Sequence, residues 1–310
     1  MLNILFSAQP AAWDEYSTPL HDAFAKAGVA VEIATDHAPE TVDYIIFAPN
    51  GPVTDFTPFT RAKAVMSLWA GVETIVDNTT LTQPLTRMVD EGLTQGMVEW
   101  VTGHVLRHHL GMDQHIHGQD GIWRDDNIPP LAQDRRVTIL GIGALGLACG
   151  QALHTLGFPV TGWSRTPKSS HGITCLHGND GLDQALRTAD ILVLLLPLTE
   201  QTTHFVNAKR IAQMPQDAII INPGRGPLIQ DEDLLAALDQ GHIAHATLDV
   251  FATEPLPKAH PFWAHPRVTV TPHIASTTRP TTAAQKIAFN IKDHEAGLPL
   301  QNRVDRKAGY

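Results

Sequence analysis

The sequence predicts an α/β protein of two lobes, each built on a parallel sheet. Two observations carry that expectation. Short apolar runs alternate with helix-patterned stretches along almost all of the 310 residues, as they do in stacked βαβ units. One long helical pattern near residue 100 then divides an early series of such runs from a later, fuller one.

Taken in order, the early series reads as strands in "NILFSA" (3–8), "DYIIFAP" (43–49), "AVMSLWA" (64–70) and "TIVD" (74–77). Helices lie between them, notably "DEYSTPLHDAFAKAG", which closes on Gly28 as a C-cap. The divider is "QGMVEWVTGHVLRHHL" (95–110), where Val98, Val101 and Val105 recur at helical spacing. The turn-rich "HGQDGIWRDDNIPPLAQDRR" follows it.

The later series has six strands: "RVTILGIG", "PVTGWS", "ILVLLLP", "AIIINPG", "ATLDV" and "VTVTPH". Helical stretches separate them, such as "DEDLLAALDQG", with acids in its first turn and a closing Gly241. A last helix pattern, "TTAAQKIAFNIKDHEAG", returns the chain to the first lobe, and a cleft between the lobes is expected.

Composition narrows the class. With 43% hydrophobic and 17% charged residues the chain reads as globular, and no apolar run approaches the ~18 residues of a membrane span. A formal charge of 22 − 32 = −10 without a basic run argues against nucleic acid as a partner. "MLNILFSAQP" has no basic n-region and no cleavage site, so no secretory leader is expected. Cys149 and Cys175 alone make no disulfide framework, which fits the cytoplasm.

The most informative motif is "GIGALG", which places Gly141, Gly143 and Gly146 in a Gly-x-Gly-x-x-Gly fingerprint around Ala144 and Leu145. It follows one strand and opens the next helix, the context in which glycines let backbone approach a pyrophosphate. The later lobe is therefore expected to be a Rossmann-type doubly wound domain. An NAD site carries an acid at the end of the next strand, whereas here the sequence is Ser164, Arg165, Thr166 and, after Pro167, Lys168. A guanidinium there suits a 2′-phosphate, so NADP(H) is the preferred cofactor, with NAD(H) possible.

Three further stretches end strands of that domain: "INPGRG" with Arg225, "LDVFATEP" with Asp249 and Glu254, and "VTPHIAS" with His273. Ligands bind at the carboxyl ends of parallel strands, so all three face one crevice. They are the parts needed to reduce a 2-oxo acid. Arg225 holds the carboxylate and polarises the carbonyl, and His273 gives the proton to the developing alkoxide. Glu254 orients the ring and balances the imidazolium charge.

Other residues are read as structural. His104, His108 and His109, with His115 and His117 just beyond, include an i, i+4 pair of metal-binding spacing. No acid or Cys completes a set, so they are read as a solvated helix flank. Trp69, Trp123 and Trp263 are read as core or interface packing.

With these motifs in order, the chain resembles the D-isomer-specific 2-hydroxyacid dehydrogenases, most closely the branch that reduces glyoxylate and hydroxypyruvate. "GFPVTGWSRTPKS", "DEDLLAALD", "LDVFATEPLP", "FWAHPRVTVTPHIASTTRP" and the terminal "VDRKAGY" carry the likeness. The resemblance implies a flavodoxin-like substrate domain from residues 1–99 and 277–310, and a dinucleotide-binding domain from residues 100–276. It assigns catalysis to Arg225, Glu254 and His273, and places Asp249 near the nicotinamide and Pro197 at the cofactor. The substrate carboxylate would meet backbone N–H groups of Gly71 and Val72, with Asn50 and Gly51 facing it.

The resemblance also implies NADPH as donor, a small 2-oxo or 2-hydroxy acid as substrate, and a homodimer. A reductase of larger 2-oxo acids and a non-catalytic nucleotide-sensing interaction protein are the alternatives.

Overall fold

The computed structural model describes residues 1–125 and 128–310. They form two compact units, one of Met1–Leu93 with Thr277–Tyr310, the other of Thr94–Ser276. Both are parallel α/β structures.

The first unit begins with β1 (Leu2–Ser7), α1 (Pro10–Ala27), β2 (Val31–Ala34), β3 (Tyr44–Phe47), β4 (Ala64–Ser67) and β5 (Leu85–Thr86). Its five strands pair in the order β2-β1-β3-β4-β5, all parallel. Both faces are covered, so the central strands are apolar along their length rather than alternating. Ile4, Phe6, Ile46 and Met66 point to one face, beneath Leu20 and Phe24 of α1 and Ile287 and Ile291 of the last helix, Pro280–Glu295. Leu5, Ile45, Phe47 and Val65 point to the other, against Phe56, Phe59, Leu81 and Val304. Pro10 opens α1 and Gly28, at φ 71°, closes it in the left-handed region.

One expected strand is absent here. Thr74–Asp77 is a turn, with the N–H groups of Ile75 and Val76 both donating to the Val72 carbonyl at 3.0 and 2.9 Å. Ile75 and Val76 are buried, so the run "TIVD" marked burial rather than extension. The sheet ends instead on two-residue β5, and on the other side β2 is a short, partly exposed edge.

The second unit opens with α2 (Glu91–His109), whose first residues still belong to the first unit, and α3 (Met112–His117). Then come β6 (Val137–Leu140), α4 (Ala144–Thr155), β7 (Val160–Ser164), β8 (Ile173–His177), α5 (Gly178–Arg187) and β9 (Ile191–Leu194). Short α6 (Ala208–Ile211), β10 (Ala218–Asn222), α7 (Asp231–Asp239), β11 (Ile243–Leu248) and β12 (Val268–Val270) complete it.

The sheet has seven strands, not six, in the order β12-β11-β10-β9-β6-β7-β8. The added strand, β8, is a half-exposed edge with no apolar run, which is why its pattern did not show. Helices α2 and α4 cover one face, with Val101, Val105, Cys149 and Leu153 packed on Ile139, Val193 and Ile221. Helices α5 and α7 cover the other, with Leu186, Leu234 and Leu238 on Leu140, Leu192 and Ile220. Neighbours β7 and β9 leave β6 in opposite chain directions, which makes the β6–β9 boundary the topological switch point.

Candidate active site

The glycine turn stands at that switch point. Gly141 has φ 101°, and a Cβ there would lie 2.4 Å from the Leu195 carbonyl oxygen, so β6 turns against the β9 loop with no room for a side chain. A Cβ on Gly146 would meet the Gly141 oxygen at 2.0 Å, so α4 starts pressed on the turn it leaves. Gly143 is different: nothing lies within 4 Å of its Cβ position. It is exposed and N-caps α4 without a side-chain hydrogen bond, and Ala144 beside it is exposed while Leu145 is half-buried. An open cradle over helix N–H groups fits a pyrophosphate.

The turn after β7 carries no acid. Ser164 is buried and its Oγ donates to the Thr166 carbonyl at 2.8 Å, while Arg165 and Thr166 are exposed. Lys168 Nζ donates to the carbonyl oxygen of Ile142 at 2.9 Å, tying this turn to the glycine turn. Half-buried Pro197 follows β9, its carbonyl accepting from Thr202 Oγ1 at 2.7 Å.

Three adjacent strands, β10, β11 and β12, deliver the remaining groups at their carboxyl ends. Asn222, fully buried, pins the first loop: its Nδ2 donates to the Arg225 carbonyl at 2.8 Å and its Oδ1 accepts from Gly224 N–H at 3.1 Å. Arg225 is half-buried, with Nη1 2.6 Å from the Gly224 oxygen. A Cβ on Gly226 would come within 2.0 Å of the Phe251 carbonyl carbon, so the β10 and β11 loops are in direct contact. Asn222 and Gly226 were not singled out from sequence; an Asn before a Pro-Gly turn was the available signal.

Within the β11 loop, Glu254 Oε1 accepts from Phe251 N–H at 2.9 Å and Oε2 accepts from His273 Nδ1 at 2.7 Å. The ring is held by one nitrogen and presents Nε2, and the side chains of His273 and Glu254 are 49% and 35% exposed. His273 itself has φ 53°, the left-handed region. Asp249, with no exposure, accepts from Thr271 Oγ1, Ile274 N–H and Ala275 N–H at 2.6, 2.9 and 2.8 Å.

The residues expected to face substrate lie in the first unit. Exposed Asn50 and half-buried Gly51 follow β3, and Gly51 lies so close to β1 that a Cβ would be 2.4 Å from the Ser7 oxygen. Gly71 and buried Val72 follow the neighbouring strand β4.

One structural reading is corrected and another narrowed. The α2 histidines are not a solvated flank: His108 Nε2 bonds Thr247 Oγ1 at 2.8 Å, and His109 is buried with its ring 4.9 Å from that of Phe158. The last turn of α2 meets β11 through His108, so residues beside its valine stripe are covered too. The rings of His108 and His245 lie 4.9 Å apart, tilted by 48°, and burial pushes them down to about 3 and about 4. Among the described residues no group of three or more His, Cys, Asp or Glu is placed to hold a metal ion. Trp69, Trp123 and Trp263 are 42%, 89% and 53% exposed, which removes the core half of that reading and leaves interface packing.

A glycine cradle at the switch point and an imidazole–carboxylate pair at neighbouring strand ends define the chain as an NAD(P)-dependent oxidoreductase. The family model described as D-isomer specific 2-hydroxyacid dehydrogenase, NAD binding domain, matches residues 101–275. The chain belongs to the D-isomer specific 2-hydroxyacid dehydrogenase family.

It is similar to a glyoxylate/hydroxypyruvate reductase A of Yersinia enterocolitica, 41% identical over 257 residues that cover 80% of this chain and 82% of that one. A solved D-isomer specific 2-hydroxyacid dehydrogenase from Xanthobacter autotrophicus Py2, in complex with NADPH and MES, is 39% identical with a TM-score of 0.92 over 99% of both chains. The NADPH-dependent glyoxylate/hydroxypyruvate reductase of Sinorhizobium meliloti, in complex with NADP and sulfate, is 33% identical with a TM-score of 0.85 over 100% of both. Among the described residues no helix is long and apolar enough to cross a membrane.

Proposed function

We propose that this chain reduces small 2-oxo acids with NADPH, converting glyoxylate to glycolate and hydroxypyruvate to D-glycerate in the cytoplasm. The observation that carries the chemistry is the 2.7 Å contact between His273 and Glu254, on a loop beside the turn of Arg225. The relatives named above support the substrates and the donor.

In this reading residues 100–276 bind the dinucleotide and residues 1–99 with 277–310 bind substrate. Gly141, Gly143, Ala144, Leu145 and Gly146 hold the pyrophosphate, Ser164, Arg165, Thr166 and Lys168 receive the 2′-phosphate, and Pro197 borders the cofactor. A bound nicotinamide supplies the hydride. Arg225 pairs with the substrate carboxylate and draws charge from the adjacent carbonyl. Gly71 and Val72 are proposed to offer backbone N–H groups to the substrate carboxylate, and Asn50 and Gly51 to face the substrate. His273 Nε2–H donates its proton to the alkoxide oxygen, and the Glu254 carboxylate stabilises the ring in that orientation. In the reverse direction the same nitrogen accepts the alcohol proton.

Side-by-side consumption of NADPH and NADH with glyoxylate and hydroxypyruvate tests this. NADPH is expected to lead by more than about tenfold in kcat/KM, a difference of about 1.4 kcal/mol. Equal use of NADH would remove the phosphate role of the 164–168 turn. Turnover of phenylpyruvate-like acids alone would move the substrate to a larger class, and no turnover at all would leave a nucleotide sensor.

The chain is also proposed to act as a homodimer. Between α3 and β6, Ile122, Trp123, Ile128 and Leu131 are each at least 65% exposed, four apolar side chains that a second copy would cover. Light scattering is expected to give twice the chain mass, and Trp123→Ala with Ile128→Glu to give the single-chain mass; a wild-type monomer would overturn the proposal.

A further inference from the structure

We propose that Asp249 is the positioning residue for His273, its carboxylate holding the loop that presents the imidazole. This rests on the reading of His273 as proton donor. A carboxylate with no exposure is costly unless its oxygens are met by donors. Here one loop supplies them: Thr271 Oγ1 and Ile274 N–H bind Oδ1 at 2.6 and 2.9 Å, and Ala275 N–H binds Oδ2 at 2.8 Å. The Asp249 carbonyl takes a fourth bond, from His273 N–H at 2.8 Å.

These four bonds bracket the residue at φ 53°, a conformation that L side chains rarely adopt. Two donors follow His273 in the chain and one precedes it, so the carboxylate clamps both ends of the left-handed residue. Without the clamp the backbone relaxes toward the extended region and carries the ring away from Glu254 Oε2. Asp249 N–H also donates to the Asn222 carbonyl at 3.0 Å. One residue thereby joins the loops of Arg225, Glu254 and His273.

Asp249→Asn keeps the size but turns one acceptor oxygen into a donor facing an N–H; Thr271→Val removes a single bond. Both variants are taken through crystal structures, kcat and KM for glyoxylate, and the dissociation constant for NADPH. Asp249→Asn is expected to lose the 2.7 Å His273–Glu254 contact and about 100-fold in kcat, with NADPH affinity within about threefold of wild type. Thr271→Val is expected to show a smaller loss of the same kind, and decides the matter if Asp249→Asn does not fold.

An unmoved His273 overturns the proposal whatever happens to kcat. So does a displaced His273 with undiminished kcat, or a variant that loses NADPH affinity and keeps its turnover. Wild-type protein that reduces no 2-oxo acid would end the reading of His273 as donor, while the crystal structures still decide whether Asp249 holds its loop.

Discussion

Replacing His273 with alanine is expected to lower kcat/KM for glyoxylate by about a thousandfold, within the range general acid catalysis contributes. That is about 4 kcal/mol of transition-state stabilisation. NADPH binding should survive, because the glycine and 164–168 turns stand at other strand ends. Glu254→Gln is expected to cost less, since an amide oxygen can still accept from Nδ1 but carries no charge. The double variant should be no worse than His273→Ala alone, because Glu254 acts through the ring it holds at 2.7 Å. Steady-state kinetics on the four proteins measures this cycle. Losses that simply multiply would separate Glu254 from His273.

Acidification below pH 6.5 is expected to destabilise the fold through the histidine pair that joins α2 to β11. In the folded chain burial keeps His108 and His245 neutral, down to about 3 and about 4 against an ordinary 6.5. Unfolded, both titrate near 6.5, so below that pH the unfolded state binds more protons and stability falls. The limit is about 1.4 kcal/mol per pH unit for each histidine, hence at most about 2.7 for the pair. Two pH units would then consume much of an ordinary domain's stability.

The groups facing the pair sharpen the expectation. Arg107, bound to Asp113 at 2.6 Å and to Thr269 at 2.9 Å, stands beside both rings and opposes their protonation, while Asp113 favours it. Carboxylates act in a lower window. Burial raises Asp190, but the Arg136 hydrogen bonds outweigh it and hold it below 3.8, so its contribution fades only below about pH 4. Urea midpoints between pH 6.5 and 4.5 therefore report the histidines. His108→Gln with His245→Asn should reduce that slope, to which His104 and His109, also held low by burial, contribute the remainder, and an unchanged slope would place the acid sensitivity outside the pair.

How much of this was legible in the sequence depended on what kind of constraint each residue answers. Strand β10, buried at every position, had to be a continuous apolar run and reads as one. Strand β8 has one face in solvent, and β5 is two residues long, so neither leaves a periodic mark. "TIVD" shows the converse, since β-branched residues are buried there in a turn beneath the first sheet. In the site, Arg225, Glu254 and His273 were singled out because they stand together at consecutive strand ends, and the structure brings Glu254 and His273 into contact. The partners of Asp249 and Lys168 could not, because they are backbone groups brought close only by loop geometry. The α2 histidines were misread because the valine stripe marks one covered face, whereas α2 also lies against Thr247 of β11.

The discontinuous first unit sets an order of assembly. Leu20 and Phe24 of α1 wait for Ile287 and Ile291, which lie close to the end of the chain. The second unit, Thr94–Ser276, is one uninterrupted segment whose whole core has been synthesised before those residues leave the ribosome. During translation the second unit can therefore close first, while the strands made earliest remain without one of their two covering helices. A truncation inside Pro280–Glu295 would strand the beginning of the protein rather than its middle, leaving β1, β3 and β4 open to chaperones and proteases on the face those helices share.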